Sequence, residues 1–292
     1  MRSLKLLPMV VVAAAMLGCG GEDVNTTLEK VSRARELAAD LTVQFTMASD
    51  AANRAVMADT DEASTEFARE SRASTEAVQK DVALLRPALT ALGYEQENKL
   101  LTEFDRNFAE YRKLDENVLG LAVENTNLKA QGLAFGAGQD AADMFRDALG
   151  ALKPASPADG SRVDALVATA ILTVREIQVL QAPHIANADE AVMTRMEQKM
   201  STSERAARTA LDSLRPITSV ASRPKLDEAA AALKRFLDVN TQIIALSRRN
   251  TNVRSLMLSL DEKRKVTVTC ADTLRALQSA LAKRGYSGIR ER

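Results

Sequence analysis

Leu121-Ala122-Val123-Glu124-Asn125-Thr126-Asn127-Leu128 returns 125 residues later as Leu246-Ser247-Arg248-Arg249-Asn250-Thr251-Asn252-Val253. Leu101, Phe104, Phe108, Tyr111, Leu114 and Val118 lead into the first copy, and Leu226, Ala229, Leu233, Phe236, Val239 and Ile243 into the second. Steps of three and four are the period of a helix-bundle seam, and each copy sets one asparagine where an apolar residue is expected. Beyond the asparagines the offset holds, with Asp147, Leu149, Ala151 and Leu152 matching Asp272, Leu274, Ala276 and Leu277. Upstream, Asp61-Glu62-Ala63 matches Asp189-Glu190-Ala191, and Leu85-Arg86-Pro87 matches Leu214-Arg215-Pro216. The length change between the copies falls between Pro216 and Leu226, in a turn, where it costs little.

Composition supports an all-α reading. Of 292 residues, 46% are hydrophobic and 27% charged, with no Trp, three Tyr and seven Phe, so the core is built from Ala, Leu, Val and Met. Such side chains suit closely packed helices better than a sheet. Thr26-Thr27-Leu28-Glu29 has the capping-box pattern and opens a first helix to about Met57. A second helix follows Asp59-Thr60-Asp61-Glu62 and ends at Gly93. The third carries the seam from about Glu95 to Lys129. A turn is expected at Gly136-Ala137-Gly138, matched in the second copy by the capping box Ser259-Leu260-Asp261-Glu262, with a shorter fourth helix reaching Leu152; one long bent helix gives the same register and is the alternative. These elements predict two tandem antiparallel four-helix bundles, over 28–152 and 161–284, joined by a Pro-rich linker at 153–160 and followed by a flexible tail at 285–292.

The leader reads Met1-Arg2-Ser3-Leu4-Lys5, then an apolar run from Leu6 to Leu17, then Gly18-Cys19-Gly20-Gly21. That run has the length of a signal-peptide core and is too short to span a bilayer comfortably. Met16-Leu17-Gly18-Cys19 resembles the bacterial lipoprotein cleavage box. The resemblance implies removal of 1–18, acylation of Cys19, a short tether over 19–27 and attachment to the periplasmic face of the cell envelope, with the outer membrane preferred. Cleavage leaves 37 basic residues against 39 acidic, a net charge of −2, which offers nothing to nucleic acid.

Glu103-Phe104, Tyr111-Arg112, Leu121-Ala122, Asn125-Thr126-Asn127, Ala130 and Leu149, with their second-copy counterparts, resemble the four-helix-bundle sensor domain of bacterial methyl-accepting chemotaxis receptors. The resemblance implies a periplasmic bundle that binds small solutes and forms a homodimer. That family's second membrane helix, relay domain and methylated hairpin are not expected from this sequence, so the expected role is a noncatalytic ligand-binding or sensory adaptor, its partners a small solute or a membrane receptor. The alternative is a structural envelope lipoprotein or oligomeric scaffold with no small-molecule ligand.

Candidate ligand contacts are few. Asn125 and Asn250 could offer amides to a polar ligand inside each bundle, or could fix helix register from a buried seam position. Arg35 and Arg175, on first helices with Arg33 and Arg54, could grip a carboxylate bidentately, or could pair with Glu36 and Glu176. His184, the only histidine, has no Cys, Asp or Glu at ligand spacing and reads as a surface or helix-end residue. Cys270 lies on the stripe Val266, Cys270, Leu274, Leu277, Leu281 and reads as a buried thiol, with an intermolecular disulfide as the alternative. No metal, haem or other cofactor is expected, and no catalytic motif is present.

Overall fold

A computed structural model describes residues 24–290, with side chains over 26–284. The leader and Cys19 lie outside the described residues. Every regular element among the described residues is helical: α1 (Val24–Met57), α2 (Asp61–Ala91), α3 (Glu95–Glu124), α4 (Thr126–Leu133), α5 (Gln139–Gly150), α6 (Gly160–Ala186), α7 (Glu190–Leu214), α8 (Arg223–Arg249), α9 (Thr251–Leu258) and α10 (Arg264–Arg290). None is long and apolar enough to cross a membrane.

Local chemistry sets most of the ends. The Thr60 hydroxyl accepts the Ala63 N–H at the start of α2, and the Asp189 carboxylate accepts from Ala191 and Val192 at the start of α7. These caps are equivalent, so the offset through the first two helices of each copy is 129, and the Asp61-Glu62-Ala63 match is out by one residue. Gly93, at φ +68°, ends α2 in a conformation that suits a residue without Cβ. Two ends differ from expectation. α1 starts at Val24, ahead of the capping box, because no helix breaker lies between Val24 and Glu29. α10 continues to Arg290 instead of ending at 284, since a glycine costs an established helix only about 1 kcal/mol.

The decisive departure is in how the bundles close. One core joins α1, α2, α3 and α10 through Leu41, Phe45, Leu85, Phe104, Phe108, Tyr111, Leu274 and Leu277. The other joins α5, α6, α7 and α8 through Phe145, Leu149, Ile177, Ala207, Leu214, Leu233 and Phe236. Each core therefore takes its fourth helix from the other half of the sequence, which corrects the expectation that 28–152 and 161–284 each close a bundle alone. The physical reason is that Asn125 and Asn250 sit in the left-handed region, at φ 49° and 53°, so the chain leaves α3 and α8 in a new direction. α4 then packs along α8, and α9 along α3. No turn occurs at Gly136 or Ser259. Single π-helical turns, Ala134–Gly138 and Ser259–Lys263, carry each helix through without reversing it. The linker is fastened to the α7–α8 connection, with Ala155 N donating to Ile217 O at 2.8 Å and Ser219 N to Lys153 O at 2.9 Å.

The buried seam also shifts. Phe104, Phe108, Tyr111, Asp115, Val118, Ala122 and Asn125 face the interior, as do Ala229, Leu233, Phe236, Asn240, Ile243, Ser247 and Asn250, while Leu114 and Leu246 are only half-buried. In the first core Phe45 meets Phe104, Phe108 and Tyr111 edge-on, with ring centroids 5.8, 6.1 and 5.1 Å away.

Candidate functional site

The two Asn-Thr-Asn segments meet where the chain crosses between bundles. The first N–H groups of a helix have no partner within it. Here each helix caps the other. Thr126 N donates to Thr251 Oγ1 (3.2 Å) and Asn127 N to Asn252 Oδ1 (3.1 Å), while Thr251 N donates to Thr126 Oγ1 (3.1 Å) and Asn252 N to Asn127 Oδ1 (3.2 Å). Asn127 Nδ2 reaches Asn250 Oδ1 at 2.8 Å, and Asn252 Nδ2 reaches Asn125 Oδ1 at 2.9 Å. The arrangement has an approximate two-fold. It breaks at two amides: Asn127 Nδ2 also donates to Ile185 O at 2.6 Å, a bond with no counterpart at Asn252, and Asn250 Nδ2 donates to Asn187 O at 2.7 Å, whereas Asn125 Nδ2 is buried without a hydrogen-bond partner among the described residues.

Polar groups lie in the bundles on either side. In the second bundle His184, fully buried in the last turn of α6, has Nε2 at 2.8 Å from Glu197 Oε1 and Nδ1 at 2.6 Å from Ser247 Oγ. The carboxylate can only accept, so Nε2 carries a proton. Arg248 also binds Glu197, at 2.7 and 3.0 Å, and this guanidinium, with help from His184, holds the carboxyl below its ordinary 4.5. Serine, histidine and glutamate in series have the composition of a nucleophile relay. However, Ser247 is fully buried, its hydroxyl also lies 2.8 Å from Ile243 O, and it lines none of the grooves beside the π-helical turns or between α6 and α7.

In the first bundle Lys263 Nζ lies 2.7 Å from Asp115 Oδ1, with both side chains buried, and Ser71 Oγ donates to Asp115 Oδ2 at 3.1 Å. Burial, and then the charge of Asp115, push the Tyr111 hydroxyl well above its ordinary pKa. Repeat arithmetic places Asn240 opposite Asp115, Met200 opposite Ser71 and Gly138 opposite Lys263. Asn240 accordingly accepts from Gln181 at 2.9 Å and contacts Met200 Sδ. A Cβ on Gly138 would stand 3.0 Å from Leu133 O and 3.5 Å from Val239. The ion pair of one bundle is a neutral, tighter contact in the other.

A groove flanks each π-helical turn. In the first bundle Ser49, Asn53, Val56, Met57, Ser259 and Leu260 are among the residues enclosing about 290 Å³, and Lys263 and Arg264 line it too. In the second, Gln178, Ala182, Ile185, Ala186, Ala134 and Phe135 are among those enclosing about 360 Å³. These positions are equivalent one for one, at 129 residues on the first helices and 125 across the π turns. The exposed aromatic face of Phe135 stands where Leu260 stands in the other copy. Below Phe135, Arg175 donates to Gln178 Oε1 and to Asp143, Gln178 to Gln139, and Gln139 to Asp143, forming a closed ring between α5 and α6.

The sequence-derived candidates are scattered by the fold. Asn125 and Asn250 come together at the crossover, bonded to each other's segment, and line neither groove. Arg35 donates to the carbonyls of Leu281 and Ala282 on α10, at 3.1–3.3 Å. Arg175 belongs to the glutamine ring, while Glu176, its expected partner, accepts from Ser203. Arg33 does pair with Glu36, at 2.7 Å. His184 is at a helix end but wholly buried, which corrects its reading as a surface residue. Burial of Cys270 agrees with its place on an apolar stripe and pushes its thiol up to about 12. Asp115 and Lys263 were missed, although each falls on a three-and-four stripe of apolar residues, where a charge signals a buried partner. No group of three or more His, Cys, Asp or Glu side chains able to hold a metal ion occurs among the described residues. Comparison with known families, with curated proteins and with solved structures gives no match to this chain.

Proposed function

We propose that this chain is a noncatalytic, lipid-anchored module of the bacterial cell envelope that binds a small ligand in the grooves beside its π-helical turns and passes occupancy to a membrane receptor. What carries the reading is the recurrence of one groove at equivalent positions in both copies with different linings. Structural packing alone gives no reason for an exposed phenylalanine beside one groove and an exposed leucine beside the other, whereas ligand specificity does. Each groove lies between a first helix and the helix that arrives from the other half of the chain, so a ligand bridging the two acts on the crossover directly. π-helical turns recur at functional sites because the extra residue re-aims side chains. The Cys19 leader supports anchoring.

Thermal unfolding of the purified protein with amino-acid, carboxylate and sugar libraries tests the reading. A ligand raises the melting temperature, and Phe135→Ala or Leu260→Ala removes that rise without lowering the unliganded melting temperature. If no compound stabilises the protein and no membrane receptor co-purifies, the ligand-binding reading fails. The structural-scaffold reading then stands, favoured by one observation: the asparagines at the crossover are bonded to each other rather than left for a ligand.

A further inference from the structure

The outward face of the second bundle, where α6 lies against α7, holds a groove of about 790 Å³. Leu172, Val179 and Leu180 line it, and Leu172 and Val179 are 60% and 73% exposed. Arg175, Arg195 and Lys199 stand around it, with a single carboxylate, Glu176, which accepts from Ser203. Among the described residues Arg195 and Lys199 have no ion pair or hydrogen-bond partner. Apolar side chains clustered and rimmed by charge on an otherwise polar surface mark an interaction site. The same face of the first bundle, α1 against α2, keeps two exposed apolar side chains, Val43 and Met47, at 54% and 52%. Its charge is reversed at two positions, and a third gains a carboxylate. At the positions of Arg195 and Lys199 it carries Glu66 and Glu70, and Asp50 stands at the position of Val179.

We propose that the α6–α7 face is a docking surface for the α1–α2 face of a second copy of this chain. The two faces share a backbone shape through the duplication, both present aliphatic side chains, and oppose each other in charge at the same helical positions. Those are the conditions for one face of a molecule to recognise a different face of its twin. The carboxylates are engaged only by exposed neighbours, Glu66 by Arg69 at 2.6 Å and Glu70 by Arg54 at 2.7 Å. Exchanging such solvent-exposed pairs for new ones across an interface costs little. The groove beside Ser259 and Leu260 lies at the α1–α10 boundary, so docking on α1–α2 is a separate contact from the ligand reading above.

Charge reversal in the full chain, followed by sedimentation velocity at low and high salt, tests this. Wild-type protein associates at low salt and dissociates as salt rises. Arg195→Glu with Lys199→Glu, and separately Glu66→Lys with Glu70→Lys, each weaken association by about ten-fold or more. Circular dichroism melting shows both variants folded, since all four side chains are on the surface. Mixing the two variants in equal amounts restores association, because every contact in the mixed assembly again joins opposite charges. A monomeric wild type, reversals without effect, or a mixture that stays monomeric each overturn the proposal. So does a basic face that binds anionic vesicles while its reversal leaves self-association unchanged.

Discussion

At the residue scale the asparagines matter for their backbone as much as for their amides. Left-handed geometry is costly for most side chains and cheapest for glycine and asparagine. Asn250→Leu is therefore expected to destabilise the protein by about 2–4 kcal/mol, combining left-handed strain with the lost amide bonds. Asn250→Gly, which relieves the strain but keeps the loss, costs less. Denaturant unfolding ranks the two, and a leucine variant more stable than wild type would show that the seam reading, rather than the crossover, describes this position. Glu197 gives a pH signature. Its carboxyl is held below 4.5 by Arg248 and then His184, so its contribution is present above the unfolded value and is lost as pH falls through the lower folded one. The melting temperature should drop on acidification below about 4.5, and Glu197→Gln should reduce that drop while lowering stability at neutral pH.

At the element scale the question is why α10 belongs with α1–α3 and α5 with α6–α8, when the repeat makes the two helices nearly interchangeable. The crossing direction set by the left-handed asparagines is one answer. The other is the pair Asp115–Lys263. Placed in the second bundle, Lys263 would meet neutral Asn240, and Gly138 in the first bundle would leave Asp115 buried without a counter-ion. Removing one partner of a buried pair costs about 3–5 kcal/mol, whereas replacing both with apolar groups is often neutral. Asp115→Leu and Lys263→Met should each be strongly destabilising alone and largely compensate together, read from a double-mutant cycle. An additive cycle would mean that the pair does not select the arrangement. Glycines and a capping box both interrupt helices and so predict turns at residues 136 and 259, yet packing on either side keeps the backbone helical through two π turns.

At the scale of the whole molecule the exchange of fourth helices makes neither half of the chain a self-contained unit. A protease site placed in the 153–160 linker should yield, after cutting, two fragments that stay together on size exclusion, because each supplies a helix to the other's core. The separate fragment 19–152 should fail to form a stable monomeric bundle, or should pair with itself by exchanging its own fourth helix. A well-folded monomeric fragment would contradict the crossover.

Periodicity and composition alone determined the all-α class, the duplication, most helix ends and the buried setting of Cys270, because those follow from spacing and local capping within one stretch of chain. They also pointed to asparagines at buried positions. Only the tertiary structure decided which helix completes which bundle, what the asparagines bond to, and that His184, Asp115 and Lys263 are buried with partners 13 to 148 residues away. A duplicated sequence carries the same apolar pattern twice, so either copy's fourth helix fits either core. One left-handed residue per crossover and one buried ion pair break that tie, and both act through space rather than along the chain.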